Sequence, residues 1–142
     1  MYTDSDLMMA SAQAAYGSAG TIYGAYSVDM GDTGKYADLG KGRPVAVQFT
    51  VDTAFAGTTG SLILFQVLVD EDLTMDASSK IVVQTGPIPV TALTIGKVVT
   101  IPIPAGVIPL FGSTFDHLGV AVETTTQTSS AGAVTAVVVM DW

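Results

Sequence analysis

The 142-residue chain is 49% hydrophobic and only 13% charged, where an ordinary soluble domain carries about 25% charged residues. That length fits one domain, and the shortage of ions leaves apolar surface for partners to cover. A net charge of −8, with five basic residues (Lys35, Lys41, Arg43, Lys80, Lys97) spread along the chain, argues against binding a phosphate backbone, which needs clustered Lys and Arg.

The absence of cysteine removes disulfides, thiolate metal sites and thiol nucleophiles from consideration. Met1–Asp6 carries acids and no Lys or Arg, unlike a secretory signal. No apolar run approaches the ~18 residues of a membrane span. The expectation is a soluble protein, intracellular at synthesis, with no membrane or nucleic-acid partner.

In chain order, residues 1–20 read as an N-terminal arm or short helix. Thr3 would cap the helix with Asp6 three positions on, and Leu7, Ala10 and Ala14 would line one face. A terminal turn folded onto the edge of the domain and an arm reaching a neighbouring molecule both remain open. The run Leu7-Met8-Met9 leans toward the arm, because methionine adapts to irregular partner surfaces.

Residues 21–142 read as a single β-domain. A strand is expected near Thr21–Val28, and then a long Gly/Asp-rich loop from Asp29 to Gly42. Val45, Val47, Phe49 and Val51 alternate with Ala46, Gln48 and Thr50, the period of a strand with one face inward. Ser61–Asp70 is apolar on both faces, which calls for a central strand or one covered by another subunit.

Further strands are expected at Lys80–Gln84, Pro89–Leu93, Lys97–Ile103, His117–Thr124 and Ala133–Met140. Turn chemistry separates them at Ala56–Gly60, Thr85–Pro87, Ile95-Gly96, Pro104–Gly106 and Thr124–Gly132. About eight strands at short, regular spacing predict an all-β sandwich, a jelly roll first and another Greek-key sandwich second.

Catalytic chemistry finds little support. A Ser/His/Asp hydrolase would depend on His117, the one histidine, and no Gly-x-Ser-x-Gly elbow accompanies it. Asp29, Asp32 and Asp38 share one loop and Asp70, Glu71, Asp72 and Asp76 another. Such oxygens can hold calcium, but the EF-hand spacing is missing and ordinary turn acids explain them better.

Gly40-Lys41-Gly42 lacks the phosphate-loop pattern. Tyr23, Tyr26, Tyr36, Phe55, Phe111 and Trp142 are scattered, so core and interface packing is favoured over a glycan-stacking platform. A surface-displayed glycan-binding sandwich is kept as the alternative function.

Asp6-Leu7-Met8-Met9-Ala10-Ser11-Ala12-Gln13-Ala14, the Gly/Asp loop, Gly42-Arg43-Pro44 leading into Val45–Asp52, and Ala54-Phe55-Ala56 together resemble the Bbp16-type capsid cement (decoration) proteins of tailed bacteriophages. The likeness is clearest over about the first sixty residues, and the chain departs from the family's pattern between Tyr16 and Tyr26. The resemblance implies a jelly-roll subunit, assembled in the bacterial host cytoplasm, that trimerises on the outer surface of the virion head. There it would clamp neighbouring major capsid proteins and stabilise the expanded shell.

The resemblance implies no enzyme, no cofactor and no catalytic or metal-ligating residue. On this basis Leu7, Met8 and Met9 are expected at the capsid contact, and Ile63, Phe65, Val67 and Val69 at the trimer interface.

Overall fold

The computed structural model describes residues 5–31, 36, 39 and 45–140. The expected cap Thr3, most of the Asp29–Gly42 loop with Asp32 and Asp38, the bases Lys35, Lys41 and Arg43, and Trp142 lie outside the described residues.

Among the described residues ten strands follow in order: β1 (Met8–Ala14), β2 (Gly20–Tyr23), β3 (Val28–Asp29), β4 (Val45–Gly57), β5 (Leu62–Asp70), β6 (Lys80–Gln84), β7 (Ile88–Pro89), β8 (Val98–Ile103), β9 (His117–Thr125) and β10 (Ser129–Val139). They build two sheets, β1-β10-β4-β8 and β2-β9-β5-β6, with β3 continuing beside β9 and β7 beside β5. Every pairing is antiparallel.

The pairs β1/β10, β2/β9, β4/β8 and β5/β6 nest like the two legs of one long hairpin bent at residues 71–79. The contacts β4/β10 and β5/β9 roll that hairpin into two layers. This is the strand order of a jelly roll, so the expected all-β sandwich is the observed fold.

Inward residues alternate along each long strand, as a sheet with one face on a core requires. Phe49 and Phe55 of β4 meet Phe65 of β5 across the layers. The Phe49 and Phe65 centroids lie 4.8 Å apart, and Phe55 meets Phe65 edge-on at 6.2 Å. Val47, Val51, Ile63, Val67, Val69, Leu118, Val120, Val134 and Val138 close around them. Gly132 leaves room for this cluster, since a Cβ there would stand 2.5 Å from Cδ1 of Phe55.

The N-terminal segment departs from expectation. It is an edge strand of the sandwich after a single 3-10 turn at Ser5–Leu7, so the boundary at residue 20 does not separate an arm from a domain. Leu7 and Met9 are 5% and 0% exposed and belong to the main core, and Met8 is half-buried. The helix loses because its alanine stripe would bury little, whereas pairing with β10 satisfies the backbone and seats Met9 inside. The strand is irregular: its register shifts twice, and Ala12 (φ +43°) donates its N–H to Oγ1 of Thr135 at 2.9 Å.

Two further differences have local causes. Of the expected Pro89–Leu93 strand only Pro89 is extended, as the end of β7 after Ile88, and Val90–Ala92 is a 3-10 turn, since proline offers no ladder donor. β4 runs on to Gly57 and β10 begins at Ser129, through segments whose composition signals turns, because the two segments pair with each other.

Core membership predicts unequal roles for the adjacent methionines. Met9→Ala is expected to cost about 2–5 kcal/mol by chemical denaturation, and Met8→Ala less than about 1 kcal/mol. Equal, small effects would return the segment to the status of an arm.

Candidate interaction surface

Charge is distributed unevenly over the sandwich. The C-terminal ends of β3 and β5 and the start of β9 lie at one end, where among the described residues Asp29, Asp70, Glu71, Asp72, Asp76 and Asp116 gather with Lys80. At the other end lie residues 15–19, 58–61, 85–97 and 126–128, rich in Thr, Ser and Gly, with Lys97 their single charged residue.

The acids hold loops in place. Oδ1 of Asp70 accepts from the Asp72 N–H at 3.0 Å, and Oδ2 accepts from the Ser79 hydroxyl at 2.5 Å. Ser79 in turn accepts the Asp76 N–H at 2.9 Å. Asp76 takes the Ser78 hydroxyl at 2.6 Å and its N–H at 2.7 Å, and these bonds hold its carboxyl below the usual range. Asp29 accepts from the Gly31 N–H at 2.8 Å, and Glu71 from Thr114 at 2.9 Å. Among the described residues no three acids or histidines converge in a way that could hold a metal ion.

His117 begins β9 with Asp29 and Asp70 as its cross-strand neighbours. Its Nδ1 lies 2.8 Å from Oδ1 of Asp116. Both atoms are sealed from solvent, and neither makes a well-aligned hydrogen bond. Beside them, Met30, Gly31, Ile108, Pro109, Gly112, Ser113, Phe115 and Asp116 line a cleft of about 400 Å³.

The outer faces of the two sheets differ. On the β2-β9-β5-β6 sheet, Met75 of the 71–79 connection folds over Gly119 and packs with Leu68, Ala121 and Tyr23. Next to this cluster Gln66, 4% exposed, donates to Glu123 at 2.8 Å and Gln84 at 3.1 Å. On the outer face of the opposite sheet Ala46 and Val137 are buried (0% and 8% exposed), Met8, Gln48, Thr50, Thr135 and Val139 are half-buried, and Val98, Thr100 and Pro102 of β8 are exposed. Its register lines up Met8, Val137, Gln48 and Thr100 in one row, Thr135, Thr50 and Val98 in a second, and Val139, Ala46 and Pro102 in a third. Asp52 is the one charge on its strands, and it accepts from Oγ1 of Thr135 at 2.7 Å.

These positions correct the residues expected at contacts. Ile63, Phe65, Val67 and Val69 are all 0% exposed and face the opposite sheet, so they have no surface to offer another copy. The second sheet covers one side of β5, and on the other Met75 covers Leu68 while Leu62 and Leu64 stay half-buried. Of the proposed capsid-contact residues, Leu7 and Met9 are likewise enclosed, and Met8 lies half-buried at the edge of the four-stranded sheet.

The aromatic candidates do not share a platform. Phe55 is core, Tyr23 packs with the Met75 cluster, Tyr36 and Phe111 lean on the core, and Tyr26 is 57% exposed. Sequence reasoning missed the nearly charge-free outer face of the four-stranded sheet. Its one sequence signal is the absence of Lys and Glu at outward positions where solvent-facing strands ordinarily carry them.

The seat of Met75 is testable through Gly119, where a Cβ would lie 2.3 Å from the methionine Cγ. Gly119→Ala is expected to destabilise by about 1–3 kcal/mol, and the penalty should shrink in a Met75→Ala background. Additive effects in denaturant titrations would mean that the loop does not sit there.

The Bbp16 family model matches residues 9–138, from the buried methionine of β1 to the last turns of β10, and so takes in the whole sandwich. No curated protein matches the chain. With both layers inside the match, the chain belongs to the Bbp16 family.

Proposed function

We infer that this chain is a virion structural protein: a cement subunit that binds as a homotrimer to the outside of a phage head and clamps neighbouring major capsid proteins. The observation that carries the inference is the outer face of the β1-β10-β4-β8 sheet. Among the described residues its four strands carry no charge except Asp52, on a chain with a net charge of −8. A solitary protein gains nothing from leaving such a face without ions, whereas an adhesive subunit avoids desolvating charges when it docks.

Membership of the Bbp16 family is consistent with a phage protein. The acidic balance suits the outer surface of the capsid, away from packaged DNA. No cofactor or catalytic step is assigned.

The work would be thermodynamic. Contacts that exist only on the expanded shell stabilise that state by mass action. A standard contact of about 1,600 Å² is modest alone, but many copies bridging neighbours add up through effective concentration.

Light scattering should return a particle near three times the 14.6 kDa chain mass. Expanded heads stripped of the protein should bind it saturably in co-sedimentation and then resist heating better. A protein that leaves such heads unbound at micromolar concentration would end this assignment.

A further inference from the structure

The cleft of about 400 Å³ at the start of β9 falls within the ~300–1,000 Å³ of small-molecule sites. Met30 and Gly31, which follow β3, form one wall. The 3-10 turn Ile108–Phe111 and the connection from it to Asp116 form the other. Met30, Ile108, Pro109 and Phe115 make the lining mostly apolar.

The walls are tied in place. The Met30 N–H donates to the Asp116 carbonyl at 2.7 Å, the Phe115 N–H to the Gly112 carbonyl at 3.3 Å, and the Gly112 N–H to the Pro109 carbonyl at 3.2 Å. Ile108, 3% exposed, roots the turn in the main core. A ligand entering here meets a preformed surface, so little is lost in ordering it.

Charge in the cleft has one sign. Among the described residues that line it, Asp116 alone is charged. Its carboxyl is divided: Oδ1 is sealed from solvent against Nδ1 of His117, yet the side chain as a whole is 36% exposed. The open part is therefore the edge that carries Oδ2, which accepts no hydrogen bond from the described residues. Asp29 stands beside it. A Cβ on Gly31 would lie 3.0 Å from Oδ1 of Asp29 and 3.5 Å from Oδ2 of Asp116, so carboxylates from two separate segments converge on one lining residue.

Two carboxylates at the rim of a low-dielectric recess repel anions and concentrate cations. The apolar walls favour a ligand with a hydrophobic body, and the ring of Phe115 offers a face to a cation. We propose that this cleft binds a small organic cation: an ammonium group paired with Asp116, with Asp29 beside it, on an aryl or alkyl body that fills the recess between Met30 and Ile108. The site goes beyond the virion assignment, and the two stand or fall separately.

The test is calorimetric titration and amide chemical-shift mapping of the full chain with three probes of one shape: 3-phenylpropylammonium, 3-phenylpropan-1-ol and 3-phenylpropionate. The ammonium should bind saturably and shift the amides of Gly31, Gly112 and Phe115. It should bind at least ~tenfold tighter than the alcohol, as a charge-assisted hydrogen bond predicts, and the carboxylate should not bind. Asp116→Asn should lower the ammonium to the level of the alcohol. Ser113→Trp, at an exposed lining position, should exclude both, and melting curves verify that the variants fold.

Equal affinity for ammonium and alcohol, or binding of the carboxylate, would overturn the cationic class of the ligand. Shifts that avoid the cleft, or that survive Ser113→Trp, would overturn the site. Should Asp116→Asn not fold, the three-probe comparison on the native chain decides the class by itself.

Discussion

The contact of Phe65 with Phe49 and Phe55 is the junction on which the two layers depend. Two of these rings come from β4 and one from β5, so the cluster ties the first long strand of one sheet to the first long strand of the other. Large rings meeting at tilted and edge-on angles contribute both buried area and favourable quadrupole geometry. Everything nearby accommodates them: Gly132 gives up a side chain beneath Phe55, and Leu93 is buried where its carbonyl accepts the Phe55 N–H at 3.0 Å. The layers are thereby set at one spacing, and the outward residues of each sheet are set in rows.

Apolar residues in this chain are absorbed at three levels. The inner faces fill the sandwich. Met75 then closes over Leu68 and Ala121 on the outside of one sheet, held there by the relay from the Asp76 N–H through Ser79 to Asp70. What is left over lies mostly in connections, at Tyr16, Tyr26, Leu73, Ile95 and Leu110, with Ile81 exposed on β6 and Val98 on β8. Asp70 and Asp76 are therefore structural: their oxygens accept hydroxyls and N–H groups of the 71–79 connection, which is what turn chemistry favours.

Much of this architecture was legible in the sequence because period-two apolar runs report directly on which face is inward. Lys80–Gln84 has the expected ends, and Leu62–Asp70, Val98–Ile103 and His117–Thr125 differ by a residue. β1 was hidden because Met-Met-Ala-Ser-Ala-Gln-Ala does not alternate, and it does not alternate because two register shifts break the pleat. Thr53–Gly57 and Ser129–Gly132 look like turns locally, and a pairing across more than seventy residues makes them strands. For the surface the same limit applies. The sequence shows that Ile63–Val69 must be covered on both sides, but not that Met75 does half of the covering. Gln48, Thr100 and Val137 look ordinary until register places them side by side.

Low charge is a hazard as well as a tool, because a bare sheet face on a free chain invites indiscriminate association. The chain answers this by geometry. Acids concentrated at one end keep copies apart in most orientations, and Pro102 with the irregular β1 denies the edges to open-ended strand pairing. The four-stranded face is the extended regular surface where neither safeguard operates.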